Sequence, residues 1–323
     1  MRNLSFSIAM CTYNGSHYLG PQLESIAAQK RMPDELVVCD DRSSDDTVSL
    51  VNHFARTAPF PVKIFINEKN LGYTKNFEKV IGLCEGDIIA LSDQDDVWHP
   101  DKLHRMEVIF TSRPDVGGVF SNARLVDADL TPFNNTLWDV IRFTRREQDL
   151  VREGRSIDVL MRHPIVTGAT FGFRSLHRNH ILPIPAGWVH DGWIALIVAT
   201  ISRLEITEEE LVYYRQHPES QIGAREKSPI TRFDESLRID RTRYYGDSIA
   251  RHEEALQRIG EFLDEKHPAI SKVEMKLDHL RRRWQLPENR LLRIPFILAG
   301  LLAMRYHRHS QGWRVAVRDM IIP

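Results

Sequence analysis

Four short apolar runs in the first hundred residues each end in polar or acidic residues, and a helix-like stretch follows each one. This alternation limits the fold more than any other feature. Phe6 to Met10 runs into the turn-like Tyr13-Asn14-Gly15, and Leu36-Val37-Val38-Cys39 ends at Asp40-Asp41. Val62 to Ile66 and Ile88 to Leu91 supply the third and fourth strands. Helical patterns lie between them, from about Pro21 to Gln29, after Ser44 as an N-cap, and from Thr74 to Leu83. Pro100 opens another helix that runs to about Thr111, and Gly117 to Phe120 begins a further strand. Strands alternating with helices predict a parallel α/β sheet, in which ligands bind at the carboxyl ends of the strands.

That rule gathers Thr12, Tyr13 and Asn14, then Asp40 and Asp41, then Asn67 and Asn70, then Asp93, Asp95 and Asp96 on one edge. Turns are generally polar, so each group alone says little; four successive groups point to a ligand site. The densest is Ser92-Asp93-Gln94-Asp95-Asp96-Val97-Trp98, directly after an apolar strand. Carboxylates this close repel one another unless a cation sits among them. Hard oxygen donors suit Mg²⁺ or Mn²⁺, which usually share such a site with substrate phosphates. A solvated acidic loop that caps the next helix is the other reading, and the cluster alone does not separate the two.

The 323 residues are 42% hydrophobic and 27% charged, which allows one large globular domain or two. A net charge of −1 gives no bulk signal for nucleic acid. The charge is uneven, however. Lys272 to Arg318 holds eleven basic residues against three acids, a balance of +8 that leaves about −9 for the remainder. Cys11, Cys39 and Cys84 lie in or beside apolar runs and read as small core residues of a reducing compartment. The opening Met1-Arg2-Asn3-Leu4 shows no signal-peptide run, and the longest apolar stretch, Ile294 to Met304, is far short of the ~20 residues that span a bilayer. The expectation is a cytoplasmic protein, peripheral at most on the inner face of the membrane. Arg281-Arg282-Arg283 with the apolar Leu291-to-Met304 segment reads either as a solvated helix face or as an interfacial helix on anionic lipid.

Residues 125 to 222 are less regular and rich in turns and aromatics, as in Gly187-Trp188-Val189-His190-Asp191-Gly192-Trp193. From about Thr231 the pattern is helical and amphipathic.

Taken in order, Ser7 to Gly15, Val37 to Thr47, Asn70-Leu71-Gly72 with Lys75-Asn76, and Asp93-Gln94-Asp95-Asp96 resemble the motifs of glycosyltransferase family 2. The run Ser92 to Trp98 is similar to the branch that includes bacterial surface-polysaccharide rhamnosyltransferases. The resemblance covers about residues 5 to 125 and thins downstream to Thr167-Gly168, His190-Asp191-Gly192-Trp193, Tyr214-Arg215-Gln216-His217 and the closing Gln311-Gly312-Trp313-Arg314. It implies a GT-A fold: a mostly parallel Rossmann-like sheet with flanking helices in residues 1–225, nucleotide half about 1–125 and acceptor half about 126–225. A helical, basic region, 226–323, would follow.

The family's roles carry over by position. Thr12 and Asp40 would contact the base or ribose, with Tyr13, Asn14, Asp41 and Asn70 beside them and Lys75 near the nucleotide. Asp93 would face the ribose or the metal, Asp95 would be the main ligand of Mn²⁺ or Mg²⁺, and Asp96 would support the site or cap the Pro100 helix. His217 follows Tyr214-Arg215, near where some relatives supply a histidine to the metal; a plain surface or core histidine is the alternative. Asp191 matches the family's general base and lies between Trp188 and Trp193, whose rings suit a sugar face; with His190 they form the expected acceptor side. Capping of the following helix is compatible with that role. The implied activity is an inverting, metal-dependent transfer from a nucleotide-diphosphate sugar, dTDP-rhamnose first, to a glycan acceptor of a surface polysaccharide on a lipid carrier. A non-catalytic nucleotide-sugar-binding protein and a sugar nucleotidyltransferase are the competing readings.

Overall fold

The computed structural model describes residues 4–217 and 240–322, so the expected helix start near Thr231 lies outside the described residues. Contacts divide the chain into two units, with 155–164 grouping with the C-terminal helices.

The first unit begins with the predicted alternation: β1 (Phe6–Thr12), α1 (Ser16–Ala27), β2 (Glu35–Asp40), α2 (Thr47–Ala55), β3 (Val62–Ile66), α3 (Tyr73–Leu83) and β4 (Ile88–Ser92). β2 and β4 are buried at every position, as continuous apolar runs with both faces covered should be. The first four strands lie in the order β3-β2-β1-β4, all parallel. The connection order therefore reverses between β1 and β4, and in sheets of this kind ligands bind at the carboxyl ends beside such a reversal. Register places Thr12 beside Asp40 and Met10 beside Ser92, so the predicted strand-end residues share one edge. Ser44 is not the cap of α2; Asp46 precedes that helix, with no side-chain capping bond.

The chain continues through the two-residue β5 (Val97–Trp98), α4 (Lys102–Ser112), β6 (Val116–Val126), β7 (Pro132–Thr136), α5 (Leu137–Ile141) and α6 (Arg145–Arg152). After α7 (Ser156–Leu160), which belongs to the second unit, come β8 (Phe171–Arg174), α8 (Arg178–Ile181), α9 (His190–Ile201) and β9 (Arg203–Arg215). These strands extend the sheet as β4-β8-β6-β9-β5, with β7 off β6, and most of the added pairings are antiparallel. β5 pairs Val97 with Tyr213 and Trp98 with Val212. This short ladder pins the end of β9 next to the acidic loop.

The second unit contains α10 (Arg241–Gly260), α11 (Pro268–Trp284), α12 (Arg290–Leu302), α13 (Arg305–His309) and α14 (Trp313–Ile321). Its interior is built on one charge. Asp319 is fully buried and accepts two hydrogen bonds from Arg283, at 2.7 and 2.8 Å, and one each from Tyr245 and Tyr306. Burial alone would raise the Asp319 pKa, but the Arg283 charge and these donors outweigh it and hold it below the ordinary 3.8. The resulting stability is present above that value and is lost as the pH falls through the lower, folded pKa. The Arg281-Arg282-Arg283 run is thus split: Arg283 is interior, while Arg281 pairs with Glu253 and Arg282 with Asp278. Removing one partner of a buried pair strands the other. We expect Asp319→Ala to lower unfolding free energy by about 3–5 kcal/mol. Urea unfolding of the full chain followed by circular dichroism checks this, and a loss under about 1 kcal/mol would refute the network's importance.

Candidate active site

The nucleotide side is built from the ends of β1, β2 and β3. Thr12 Oγ1 donates to Asp40 Oδ2 at 2.8 Å, and Ser43 donates to Asp40 through both its backbone N–H and its hydroxyl. Thr12 and Asp40 are buried, while Tyr13, next in the chain, is 44% exposed. Asn14 takes a positive φ of 45°, which asparagine tolerates, and its side-chain oxygen accepts from Ser44 N–H. Asp41 serves the scaffold: it accepts from Asn67 Nδ2, Leu71 N–H and Gly72 N–H, at 2.7, 2.7 and 2.8 Å, and so fixes the loop after β3. Gly72 has φ +77°, where a side chain would be strained. Asn70 braces the same loop through the Asp41 carbonyl. The Lys75 ammonium is engaged by Glu78 and the Ile184 carbonyl, both at 2.7 Å.

Across the β1/β4 junction lies the acidic loop. Gln94 ties it to the nucleotide side by reciprocal bonds, accepting from Tyr13 N–H at 2.8 Å and donating to Tyr13 C=O at 3.0 Å. A Cβ at position 15 would stand 2.2 Å from the Gln94 side chain, so a larger residue there would make Gln94 shift. Gln22 supports the loop from below through Ser92 and the Asp93 carbonyl.

Burial, followed by the charges of Asp95 and Asp191, raises the Asp93 pKa to about 7, and Lys102 opposes this. Asp96 is pushed well above the ordinary value by burial and by Asp95 and Asp93. Its Oδ1 accepts from Arg215 N–H at 2.9 Å, and its buried Oδ2 has no partner among the described residues. Asp96 does not cap α4; Asp101 occupies the N-cap position. The Tyr214 pKa is raised by burial and then by the charges of Asp96, Asp93, Asp95 and Asp191, so all four carboxylates lie within electrostatic reach of its ring.

Two cations stand behind them. Lys102 is 0% exposed; its ammonium donates to the Ala169 carbonyl at 2.6 Å and lies 3.4 Å from the centroid of the Trp98 ring. Burial lowers its pKa well below 10.5, against the pull of Asp96 and Asp93. Arg215 donates to the Asp95 carbonyl at 2.7 Å and packs over the Tyr18 ring.

His217 Nε2 lies 2.8 Å from Asp95 Oδ2, with its ring against Tyr18. Among the described residues no three His, Cys, Asp or Glu side chains close into a ready-made metal cage. Asp95 and His217 are in direct contact, and the charge of Asp95 reaches Asp93, which leaves an incomplete donor set. Such a set fits a divalent ion that draws its remaining ligands from diphosphate and water.

On the opposite wall, Asp191 sits in the first turn of α9, where the helix dipole favours a carboxylate. It is not the N-cap, which is Val189. Its oxygens accept from Gly168 N–H at 3.0 Å and Gly192 N–H at 2.6 Å. His190 is buried, stacked 3.8 Å from the Phe77 ring centroid, and neither ring nitrogen has a partner among the described residues. Burial lowers its pKa. Gly168 permits its close approach, since a Cβ there would lie 2.8 Å from His190 Nε2. The two tryptophans separate in role. Trp193 is 0% exposed, with its indole N–H on the Ile181 carbonyl, so it packs beneath the site and cannot meet a sugar face. Trp188 is half-buried, with its ring centroid 5.5 Å from that of Trp193. Sequence reasoning missed Gln22, Gln94, Lys102 and Arg215 as members of the site. Only Arg215 carried a signal, beside His217 at the end of a strand.

The sequence model of glycosyl transferase family 2 matches residues 7–174. An uncharacterised glycosyltransferase of Nostoc sp. is 26% identical over 217 residues, 66% of this chain and 65% of that protein. A dTDP-rhamnosyl transferase of Shigella flexneri is 36% identical over 98 residues, 29% of this chain and 34% of its own length. The chain thus spans less than two thirds of these curated relatives. Among solved structures, S. aureus TarS 1-349 in complex with UDP-GlcNAc aligns with a TM-score of 0.59 at 16% identity, over 98% of this chain and 88% of its own. The mannosyltransferase PcManGT of Pyrobaculum calidifontis, in complex with GDP-Man and Mn²⁺, aligns at 0.54 and 19% identity, over 94% and 76%. These likenesses establish the GT-A fold. The family match covers more than half of the sequence, and the chain belongs to glycosyl transferase family 2.

Proposed function

We propose that the protein is an inverting glycosyltransferase that moves a sugar from a nucleotide-diphosphate donor to a glycan acceptor. The observation that carries this is the convergence of Asp93, Asp95 and Asp96 with Asp191 within electrostatic reach of Tyr214 at the β1/β4 switch point. The nucleoside would lie against Thr12, Tyr13 and Asp40, with Asn14 and Asn70 shaping the rim and Asp41 acting through the loop it holds. Asp95 and Asp93, with His217, would hold Mn²⁺ or Mg²⁺. Such an ion, when bound, offsets the charge that grows on the departing diphosphate.

The chain's own residues do the rest. Trp188 and the His190 wall would orient the acceptor. Asp191, fixed by two backbone N–H groups, takes the proton from the acceptor hydroxyl. The freed oxygen forms its bond to the anomeric carbon as the bond to diphosphate breaks on the opposite face, which inverts the centre. The partial match to the Shigella protein makes dTDP-L-rhamnose the first donor to test. A partial match to an E. coli enzyme named for UDP-Glc and a diphosphoundecaprenol-linked acceptor, 29% identical over 121 residues, supports a lipid-linked acceptor of a surface polysaccharide, at the inner face of the cell membrane. Thermal shift against UDP-, GDP- and dTDP-sugars with and without Mn²⁺ tests the donor, since a ligand bound only by the folded state raises its apparent stability.

Asp191→Asn keeps shape but removes the base. Turnover should fall by about 10²-fold or more while donor affinity holds; transfer at near the unsubstituted rate would move the base elsewhere.

Asp93, with its pKa raised to about 7, holds its proton below that pH, and a cation needs the carboxylate. Mn²⁺ affinity, measured by calorimetry with nucleoside diphosphate present, should therefore fall as pH drops below 7, by at most about tenfold per unit. Asp95→Ala should abolish the metal-dependent part. Lys102→Met, which removes a charge that opposes the rise, should move the profile to higher pH. A flat profile between pH 6 and pH 8 would be incompatible with Asp93 as the linked group.

A further inference from the structure

We infer that α12 and α14 form a docking face for the surface of an anionic phospholipid bilayer. α12 buries Arg293, Ile297 and Gly300, which share one side of the helix at spacings of four and seven. Beyond that side and the partly buried Ile294 and Leu301, the helix is apolar and open: Leu291, Leu292, Pro295, Phe296, Leu298 and Leu302 are all exposed, Leu291 at 74% and Leu302 at 86%. The only charged residue exposed on this helix is Arg290, at its first position. α14 adds exposed Trp313, Val317 and Met320. A contiguous apolar surface of this kind marks an interaction site.

The charges beside it identify what covers it. From Asn289 to Ile322 the sole acid is Asp319, and it is interior. Arg290, Arg308 and Arg314 are exposed and have no ion pair among the described residues. The surface therefore shows lipophilic side chains fringed by arginines alone, which complements acyl chains below anionic headgroups. A two-fold interface with a second copy would set these arginines against their own copies with no exposed acid of the segment to offset them. α12 has 13 residues, about 20 Å of helix, and a bilayer core is about 30 Å thick, so the helix lies in the interface plane. No described helix is long and apolar enough to cross a membrane.

This deepens the membrane location proposed above and rests on that reading. Its test needs neither donor nor acceptor, so it can fail while the transferase reading stands. The full chain is sedimented with vesicles of phosphatidylethanolamine and phosphatidylglycerol, and with phosphatidylcholine vesicles, at low and high salt. Binding should favour the anionic vesicles and weaken with salt. Leu291→Gln with Leu302→Gln, and separately Arg308→Gln with Arg314→Gln, should each weaken it about tenfold or more, with thermal unfolding unchanged because all four side chains are exposed. No sedimentation at low salt, or binding by both double variants as strong as that of the unsubstituted chain, overturns the inference. So does a chain that fails to sediment but is dimeric by light scattering and becomes monomeric on the leucine substitutions.

Discussion

Bringing four carboxylates to one place is electrostatically unfavourable, and much of the first unit is arranged around that cost. Two of them, Asp93 and Asp96, respond by rising in pKa. A buried lysine and a buried arginine stand behind the cluster, one reaching it through space and the other through the backbone of the acidic loop. Each cation depends on a distant element. Lys102 is positioned by the Ala169 carbonyl ahead of β8, and Arg215 by the pairing of β5 with β9. The same end of β9 is also held by β6, where Arg215 pairs with Val126, so Arg215 and His217 reach the cluster from a strand fixed on both sides. The remaining tension is of the kind that a divalent cation relieves, which is why the incomplete donor set reads as a feature rather than a defect.

The part of this that was legible in the sequence is the part governed by local period. β1 to β4 announce themselves as apolar runs bounded by polar turns, and their common edge follows from the rule for parallel sheets. That same rule brought Thr12, Asp40 and Asp93 together before any coordinates. What could not be read depends on long-range pairing. Nothing near Val97-Trp98 says that it meets Val212-Tyr213, so Arg215's contact with the loop was invisible. Lys102 looks like any helix-start lysine, because burial is a property of the surroundings. Trp193 misled for the same reason: an aromatic in a sugar-binding stretch and an aromatic in the core have one signature. The triple arginine repeated the lesson in the second unit, where Arg283 turns inward to Asp319 and its neighbours pair locally.

The second unit concentrates polarity and apolarity in unusual places. An ion pair with two tyrosine hydroxyls lies in its interior, and Arg293 is buried against the carbonyls of Pro287, Glu288, Asp319 and Ile322. Leucines and phenylalanine face outward on the same helix. The buried polar network is fully bonded, so it fixes how α11, α12 and α14 pack, and it leaves the outer face free to be chosen for something other than folding.

The reciprocal bonds between Gln94 and the Tyr13 backbone bear on how a ligand is received. They make the loop after β1 and the loop after β4 one wall instead of two separately moving segments. A ligand that touches both therefore meets a surface whose ordering was accomplished when the chain folded, and little conformational entropy is left to lose on binding. The glycine at position 15 is part of the same device: a larger residue would push the Gln94 side chain away from the Tyr13 backbone and let the two loops move apart.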